Sequence, residues 1–107
     1  MAMRRTGGPL LAAILVVAAS AATVVQAADA VEGARLSRQW CADCHVVGAA
    51  QGHAMSDAPS FQSIAQRTDF DAKVISYYLL SPHPPMPNLT LSRHEADDLA
   101  AYIATQK

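Results

Sequence analysis

The sequence contains few cysteines, which stabilise small domains through disulfides or metal sites, and few charged residues, which bind charged partners. Its 107 residues include only two cysteines, and aromatic and charged side chains make up 6% and 16% of the chain. Two cysteines permit one disulfide at most, and they cannot alone complete a four-ligand structural zinc site. No run of basic residues follows Arg5, so nucleic acid and anionic lipid surfaces are not predicted partners.

The N-terminal segment, by contrast, has the three parts of a secretory signal peptide. Arg4 and Arg5 come first, apolar residues fill most of positions 10–25, and small residues lead up to Ala27. We predict cleavage after Ala27, with cleavage after Ala30 as the alternative. An uncleaved membrane anchor is less favoured, because a span needs about 20 apolar residues and no Lys, Arg, Trp or Tyr follows this run closely as an interfacial anchor.

Removal of residues 1–27 would leave residues 28–107 as one small domain exported to the periplasm. This domain keeps six basic residues against nine acidic ones, a net charge of −3. A core of this size supplies little stability alone, and such domains are usually held by a disulfide, a metal or a cofactor. After cleavage we expect no stable membrane insertion.

Helical periodicity is the only regular pattern in this domain, and no segment alternates with the period of two that marks a strand. The sequence therefore predicts an all-α fold. Four helices are predicted: residues 29–40, residues 60–66, a third that is capped by Thr68 or Asp69 and ends at Leu80, and a fourth from a Ser92–Glu95 capping box to about Thr105.

The same periodicity predicts which side chains are buried in each helix. These are Gly33, Leu36 and Trp40 in the first helix, Phe61 and Ile64 in the second, Phe70, Val74 and Tyr78 in the third, and Ala96, Leu99 and Tyr102 or Ile103 in the fourth. Between the third and fourth helices, the prolines of residues 82–87 fix φ and predict a stiff extended loop.

Both cysteines lie in one short motif, Trp40-Cys41-Ala42-Asp43-Cys44-His45. A redox dithiol is expected after a strand and at the start of a helix, whereas here a helix precedes the motif. Zinc needs more ligands, and a disulfide across two residues would close a small loop that adds little stability. Attachment of a c-type haem explains the adjacent histidine, since the thiols of Cys41 and Cys44 would add to the two vinyl groups and His45 would ligate the iron.

A haem that transfers electrons usually takes Met or His as its second axial ligand. The candidates are Met55, Met86, His53, His83 and His94. Met55 and His53 follow the motif too closely to reach the opposite face, and His94 falls in the first turn of the last helix, where solvent exposure is expected. Met86 and His83 share the proline loop, and an extended path at about 3.1 Å per residue would separate them by roughly 9 Å, so only one could reach the iron.

The motifs and their order resemble those of class I monohaem cytochromes c of bacteria. The likeness runs from Gly33 and Leu36 in the first helix through CADCH and PPMP to LSRHEADDLAAYI in the last helix. It implies three to five helices wrapped around one covalently attached haem.

The resemblance also implies a role for individual residues. Cys41 and Cys44 would carry the haem, His45 would be the proximal ligand, and Met86 rather than His83 would be the distal ligand. The Pro59 carbonyl would accept the ring N–H of His45, and Gly33 would meet Tyr102 where the first and last helices cross.

By this resemblance the protein is a periplasmic carrier that catalyses nothing and passes single electrons between redox partners. Those partners would be a dehydrogenase, an oxidase or a membrane cytochrome complex. Two other functions stay open at this point: a haem subunit of a larger oxidoreductase, and a sensor or peroxidase-like protein whose distal site opens to small molecules.

Overall fold

The structure, a computed structural model, describes residues 1–3, 7–9, 16–23, 26–81 and 83–107. Within them the chain forms helices α1 (Ala30–Trp40), α2 (Phe61–Ala65), α3 (Ala72–Leu80) and α4 (Arg93–Ala104) and no strand. The all-α prediction is confirmed. Arg4, Arg5, residues 10–15 and 24–25 of the apolar run and Pro82 lie outside the described residues.

Within the described ranges, none of the four helices combines the length and the apolar character that a membrane span requires.

The buried face of α1 differs from the prediction at one position. Gly33 and Leu36 are buried as predicted, but Trp40 is 54% exposed. Ser37 is completely buried instead, and its hydroxyl donates to the carbonyl of Ala34 at 2.8 Å.

Helices α1 and α4 cross at Gly33. A Cβ atom at this position would overlap the carbonyl oxygen of Asp98, and it would lie 2.6 Å from the Asp98 carbonyl carbon and 2.8 Å from the Cβ of Tyr102. No side chain fits in that space, so the two helices contact each other through their backbones. The predicted meeting of Gly33 and Tyr102 is confirmed.

A buried carboxylate joins the start of α1 to α4 beside this crossing. Asp98 is 1% exposed, and its Oδ1 accepts a hydrogen bond from the amide of Asp29 at 2.7 Å. Its Oδ2 lies 3.5 Å from Nε2 of His94, one turn earlier in α4. Because a buried carboxylate is tolerated only where donors satisfy it, this contact fixes residue 29 against α4.

Helix α3 starts later than predicted. Its N-cap is Asp71, whose carboxylate accepts from two amides of the first turn at 2.8 and 3.4 Å; neither Thr68 nor Asp69 caps it. Asp69 instead pairs with Arg67 at 3.0 Å, and the amide of Phe70 donates to the Arg67 carbonyl at 3.1 Å. A turn over residues 67–70 therefore precedes the helix, and Phe70 packs against the core from that turn.

The side of α3 that faces the core also differs from the prediction. Val74 and Tyr78 are 61% and 53% exposed, so the predicted stripe is wrong at these positions, while Ile75 and Leu79 pack against the core. The buried Ser76 hydroxyl donates to Asp97 of α4 at 2.5 Å. Helix α3 is thus held to α4 by one polar contact and by its neighbouring apolar side chains.

The other two helices follow the prediction except at Ile64. Helix α2 is capped by Ser60 and buries Phe61 as predicted, but its second buried residue is Ala65, and Ile64 is only partly buried against the core. Helix α4 begins with the predicted capping box of Ser92 and Glu95. The buried core consists of Leu36, Cys41, Val47, Phe61, Ala65, Leu99 and Ile103. Since Cys41 and Val47 come from the cysteine motif and the loop after it, the core supports that segment directly.

We predict that Gly33→Ala and Gly33→Val both destabilise the protein. Overpacking costs about 1–3 kcal/mol, whereas replacing glycine by alanine at an open helix position would stabilise by roughly 0.5–1 kcal/mol. Thermal unfolding of the purified protein decides between the two signs. Gly52→Ala is the control, because an added Cβ there meets nothing within 4 Å. A Gly33→Ala protein that melts above the wild type would contradict the close crossing.

Candidate functional site

The two cysteines lie in a tight turn that directly follows helix α1. The turn covers residues 41–44, and the amides of Cys44 and His45 donate to the Cys41 carbonyl at 3.2 and 2.9 Å. Cys41 is 5% exposed and belongs to the core, whereas Cys44 is exposed, and the two cysteines form no disulfide. Three of the predicted site residues therefore lie together in one compact segment.

Burial shifts the pKa of the Cys41 thiol in the direction opposite to that of a reactive redox thiol. Removal from water raises the pKa of the Cys41 thiol to about 11, and the neighbouring Cys44 adds to the rise. Reactive cysteines have lowered pKa values because positive charge or a helix N-terminus stabilises the thiolate. Here the motif follows the C-terminal end of α1, whose dipole disfavours a negative charge. The redox interpretation of the motif is therefore not supported.

A backbone carbonyl orients the imidazole of His45. Its Nδ1 lies 2.6 Å from the carbonyl oxygen of Pro59, and because a carbonyl only accepts, Nδ1 carries the proton. Nε2 of the neutral ring then keeps a free lone pair. Metal-bound histidines are held in this way, with the second ring nitrogen donating to a carbonyl or a carboxylate. The hydrogen bond expected between His45 and Pro59 is present.

Aromatic contacts connect the His45 imidazole to α4. The ring centroid of Phe61 lies 5.6 Å from that of His45 and 6.2 Å from that of Tyr102. The Tyr102 hydroxyl donates to the carbonyl of Val47 at 2.7 Å. Helix α4 thus supports the segment after the cysteines through both a ring contact and a hydrogen bond.

Gln51 is a site residue that sequence reasoning missed. Its amide nitrogen, which carries two hydrogens, lies within hydrogen-bond distance of three carbonyl oxygens, those of Ala42 (2.8 Å), His45 (2.9 Å) and His53 (3.1 Å), and its Oε1 accepts from the amide of Val47 (3.0 Å). One side chain therefore satisfies backbone groups before and after the histidine and fixes the loop against the motif. A glutamine in a loop follows no local pattern, so the sequence alone gives no signal for it.

The proline loop does not follow the predicted extended path. The amide of Met86 donates to the carbonyl of His83 at 3.3 Å, and the Pro84–Pro85 peptide bond is cis. Nε2 of His83 lies 2.9 Å from Sδ of Met86. The backbone separation of roughly 9 Å, expected for an extended chain at about 3.1 Å per residue, is wrong because the bond from the Met86 amide to the His83 carbonyl closes a turn between the two residues. The structure brings both candidate distal ligands to one point.

The remaining candidate ligands lie elsewhere. Met55 is 89% exposed, and its amide donates to the carbonyl of Asp43 at 2.8 Å. His53 is exposed in the same loop. His94 is exposed as predicted and faces Asp98 on its own helix.

The donor set of the motif suits iron within a macrocycle better than a bare metal ion. Among the described residues, no group of three or more His, Cys, Asp or Glu side chains could hold a metal ion by itself. A haem brings four nitrogen ligands of its own, and its iron needs only axial groups from the protein. The free lone pair at Nε2 of His45 fits an axial position, and the two thiols fit covalent links to vinyl groups. The residues present therefore fit a c-type haem.

Comparison with known proteins gives two matches. The family model described as Cytochrome c matches residues 30–107. The chain is 50% identical over 92 residues to Cytochrome c-552 of Bradyrhizobium diazoefficiens, and the match covers 86% of this chain and 88% of that protein. No solved structure matches.

We predict that Gln51→Ala destabilises the protein by about 1–3 kcal/mol, because it leaves partly buried backbone carbonyls and an amide without partners. Unfolding in guanidinium chloride measures the loss. The matched control is Gln62→Ala, which removes an exposed glutamine of α2 and should leave the midpoint nearly unchanged. Equal losses in the two variants would show that the Gln51 hydrogen bonds contribute nothing.

Proposed function

The chain belongs to the cytochrome c family of haem electron carriers, and on that basis we propose which residues hold its covalent c-type haem. Cys41 and Cys44 form the thioether links to the vinyl groups. His45 is the proximal axial ligand of the iron, and Met86 is the distal one. The compact turn that holds both thiols and the imidazole supports the roles of Cys41, Cys44 and His45.

Each proposed ligand has a separate chemical task. When bound, the haem supplies a one-electron couple at its iron. His45 offers the lone pair of Nε2, while its Nδ1–H bond to Pro59 fixes the ring and raises the basicity of the nitrogen. Met86 offers a thioether, which favours ferrous iron more than a second imidazole would and so raises the potential.

We propose that the protein passes single electrons between two redox proteins and catalyses no reaction of its own. The donor and the acceptor are redox proteins such as a dehydrogenase, an oxidase or a membrane cytochrome complex. The observation that carries this proposal is the orientation of His45 by the Pro59 carbonyl, directly after the two thiols. With Met86 as the second axial ligand, no position at the iron is open to a substrate.

We predict that the holoprotein is low-spin and six-coordinate in both oxidation states and that carbon monoxide does not change the spectrum of the reduced form. Both axial positions are then filled by side chains of the chain itself. Absorption and electron paramagnetic resonance spectroscopy measure the spin state. The control is the same sample in guanidinium chloride, where unfolding should release a ligand and allow carbon monoxide to bind. Rapid binding to the folded wild type would favour a sensor or a peroxidase-like protein instead.

We also propose that the protein is exported to the periplasm and that its signal peptide is removed after Ala27 rather than after Ala30. Asp29 caps α1, its amide donates to the buried carboxylate of Asp98 at 2.7 Å, and its carbonyl accepts from the amide of Gly33 at 2.9 Å. Cleavage after Ala30 would remove these contacts, and a buried acceptor that loses its donor costs about 1–3 kcal/mol.

The intact mass of the exported protein tests this cleavage site. We expect the mass of residues 28–107 plus one haem, in the soluble periplasmic fraction. A chain that begins at Val31 would exclude cleavage after Ala27. A membrane-bound form that keeps residues 1–27 would revive the anchor hypothesis.

A further inference from the structure

The loop between α3 and α4 holds two donor atoms at one point. Nε2 of His83 and Sδ of Met86 lie 2.9 Å apart, and both side chains are half-buried. A thioether carries no hydrogen to donate, so a hydrogen bond between these atoms would require a proton on Nε2. Whether the proton of the neutral ring is on Nδ1 or on Nε2 therefore determines whether this contact can be a hydrogen bond.

That other nitrogen, Nδ1 of His83, already donates. It lies 2.7 Å from the carbonyl oxygen of Ser81, and a carbonyl only accepts, so the neutral ring carries its proton on Nδ1. Nε2 of that tautomer carries a lone pair and lies 2.9 Å from the Met86 sulfur. Two donor atoms this close together can each reach one shared electron acceptor.

His83 is oriented by the same kind of hydrogen bond as His45. In both residues Nδ1 donates to a backbone carbonyl, at 2.7 Å to Ser81 and at 2.6 Å to Pro59, which leaves the lone pair of the neutral ring on Nε2. This is the arrangement of metal-bound histidines. His94, in contrast, faces the carboxylate of Asp98 through Nε2. By this criterion His83 is built as a ligand, and His94 is not.

The imidazole of His83 is also held in place before any metal binds. Its ring stacks on that of Tyr78, with the centroids 3.9 Å apart and the planes at 30°. Ser81, which accepts from its Nδ1, is tied to the end of α3 by bonds from its amide to the Tyr78 carbonyl (3.2 Å) and from its hydroxyl to the Tyr77 carbonyl (3.0 Å). A donor that is ordered in advance loses little freedom on binding.

From these contacts we propose that His83 is a reserve axial ligand. It shares the distal position with Met86, and its Nε2 binds the iron whenever the thioether is absent or released. The proposal rests on the proposed ligation by Met86 in the resting protein. Its consequence is that loss of the methionine ligand lowers the potential without opening the iron to small molecules, since imidazole replaces thioether.

The test compares holoproteins that lack one or both donors. The variants are Met86→Ala, the double variant Met86→Ala/His83→Ala, and the control Met86→Ala/His53→Ala, which removes a different, exposed histidine. Electron paramagnetic resonance of the oxidised proteins gives the spin state, and carbon monoxide binding to the reduced proteins gives access to the iron.

We expect Met86→Ala and the His53 control to stay low-spin with imidazole on both sides of the iron. The Met86→Ala/His83→Ala protein should be high-spin in its oxidised form. It should bind carbon monoxide at least about tenfold faster than Met86→Ala, because a ligand that fills the site nine-tenths of the time leaves it open for one-tenth. If Met86→Ala does not accumulate, Met86→Leu, which conserves volume, gives the same comparison in pairs with and without His83.

Two results would overturn the proposal and are distinguishable from each other. If Met86→Ala is already high-spin and binds carbon monoxide as fast as the double variant, His83 does not reach the iron, and ligation by Met86 stands. If the wild type itself shows imidazole on both sides and lacks the far-red iron–sulfur absorption band, His83 is the resident ligand. In that case the proposed ligation by Met86 fails as well.

Discussion

Where α1 crosses α4, the backbone at Gly33 lies against the Asp98 carbonyl with no room for a side chain. Because α1 runs straight into the turn that carries Cys41 and Cys44, the angle and depth of this crossing set where both thiols lie. The buried carboxylate of Asp98 adds a second fixed point by binding the amide of Asp29. The position of the cysteine motif is therefore determined largely at the opposite end of the helix that precedes it.

Helix α4 continues this support on the other side of the motif. Tyr102, one turn beyond Asp98, donates to the carbonyl of Val47 and contacts Phe61, whose ring lies against His45. The imidazole is thus held by the Pro59 carbonyl at Nδ1 and by contact with the Phe61 ring, which itself contacts Tyr102 of α4. Such outer contacts fix the orientation and basicity of a metal ligand, so the same helix that positions the thiols also helps to set the chemistry of the histidine.

Much of this arrangement could be predicted from the sequence, and the exceptions have physical causes. The cysteine motif and the capping box at Ser92 and Glu95 are local patterns, and both predictions about them depend on neighbouring residues alone. The start of α3 was ambiguous because Thr68, Asp69 and Asp71 all belong to residue types that cap helices. Asp71 is the cap because the residues before it form a separate turn.

Long-range contacts account for the rest. Gln51 binds carbonyls up to nine residues away, and no pattern of residues in the sequence predicts such a bond. The proximity of His83 and Met86 depends on the path of the proline loop, where fixed φ angles suggest extension but the chain turns. The stacking of Tyr78 on His83 likewise depends on how α3 and the loop after it pack, and the sequence alone does not indicate it.

The central claim is that Met86 is the resident partner of His45 at the iron, and the proton NMR spectrum of the reduced holoprotein tests it most directly. The ring current of a porphyrin shifts the methyl group of an axial methionine far upfield of all other methyl resonances. We expect one such three-proton signal, retained in Met55→Leu and lost in Met86→Leu. The absence of an upfield methyl signal in the wild type, or its survival in Met86→Leu, would contradict the account.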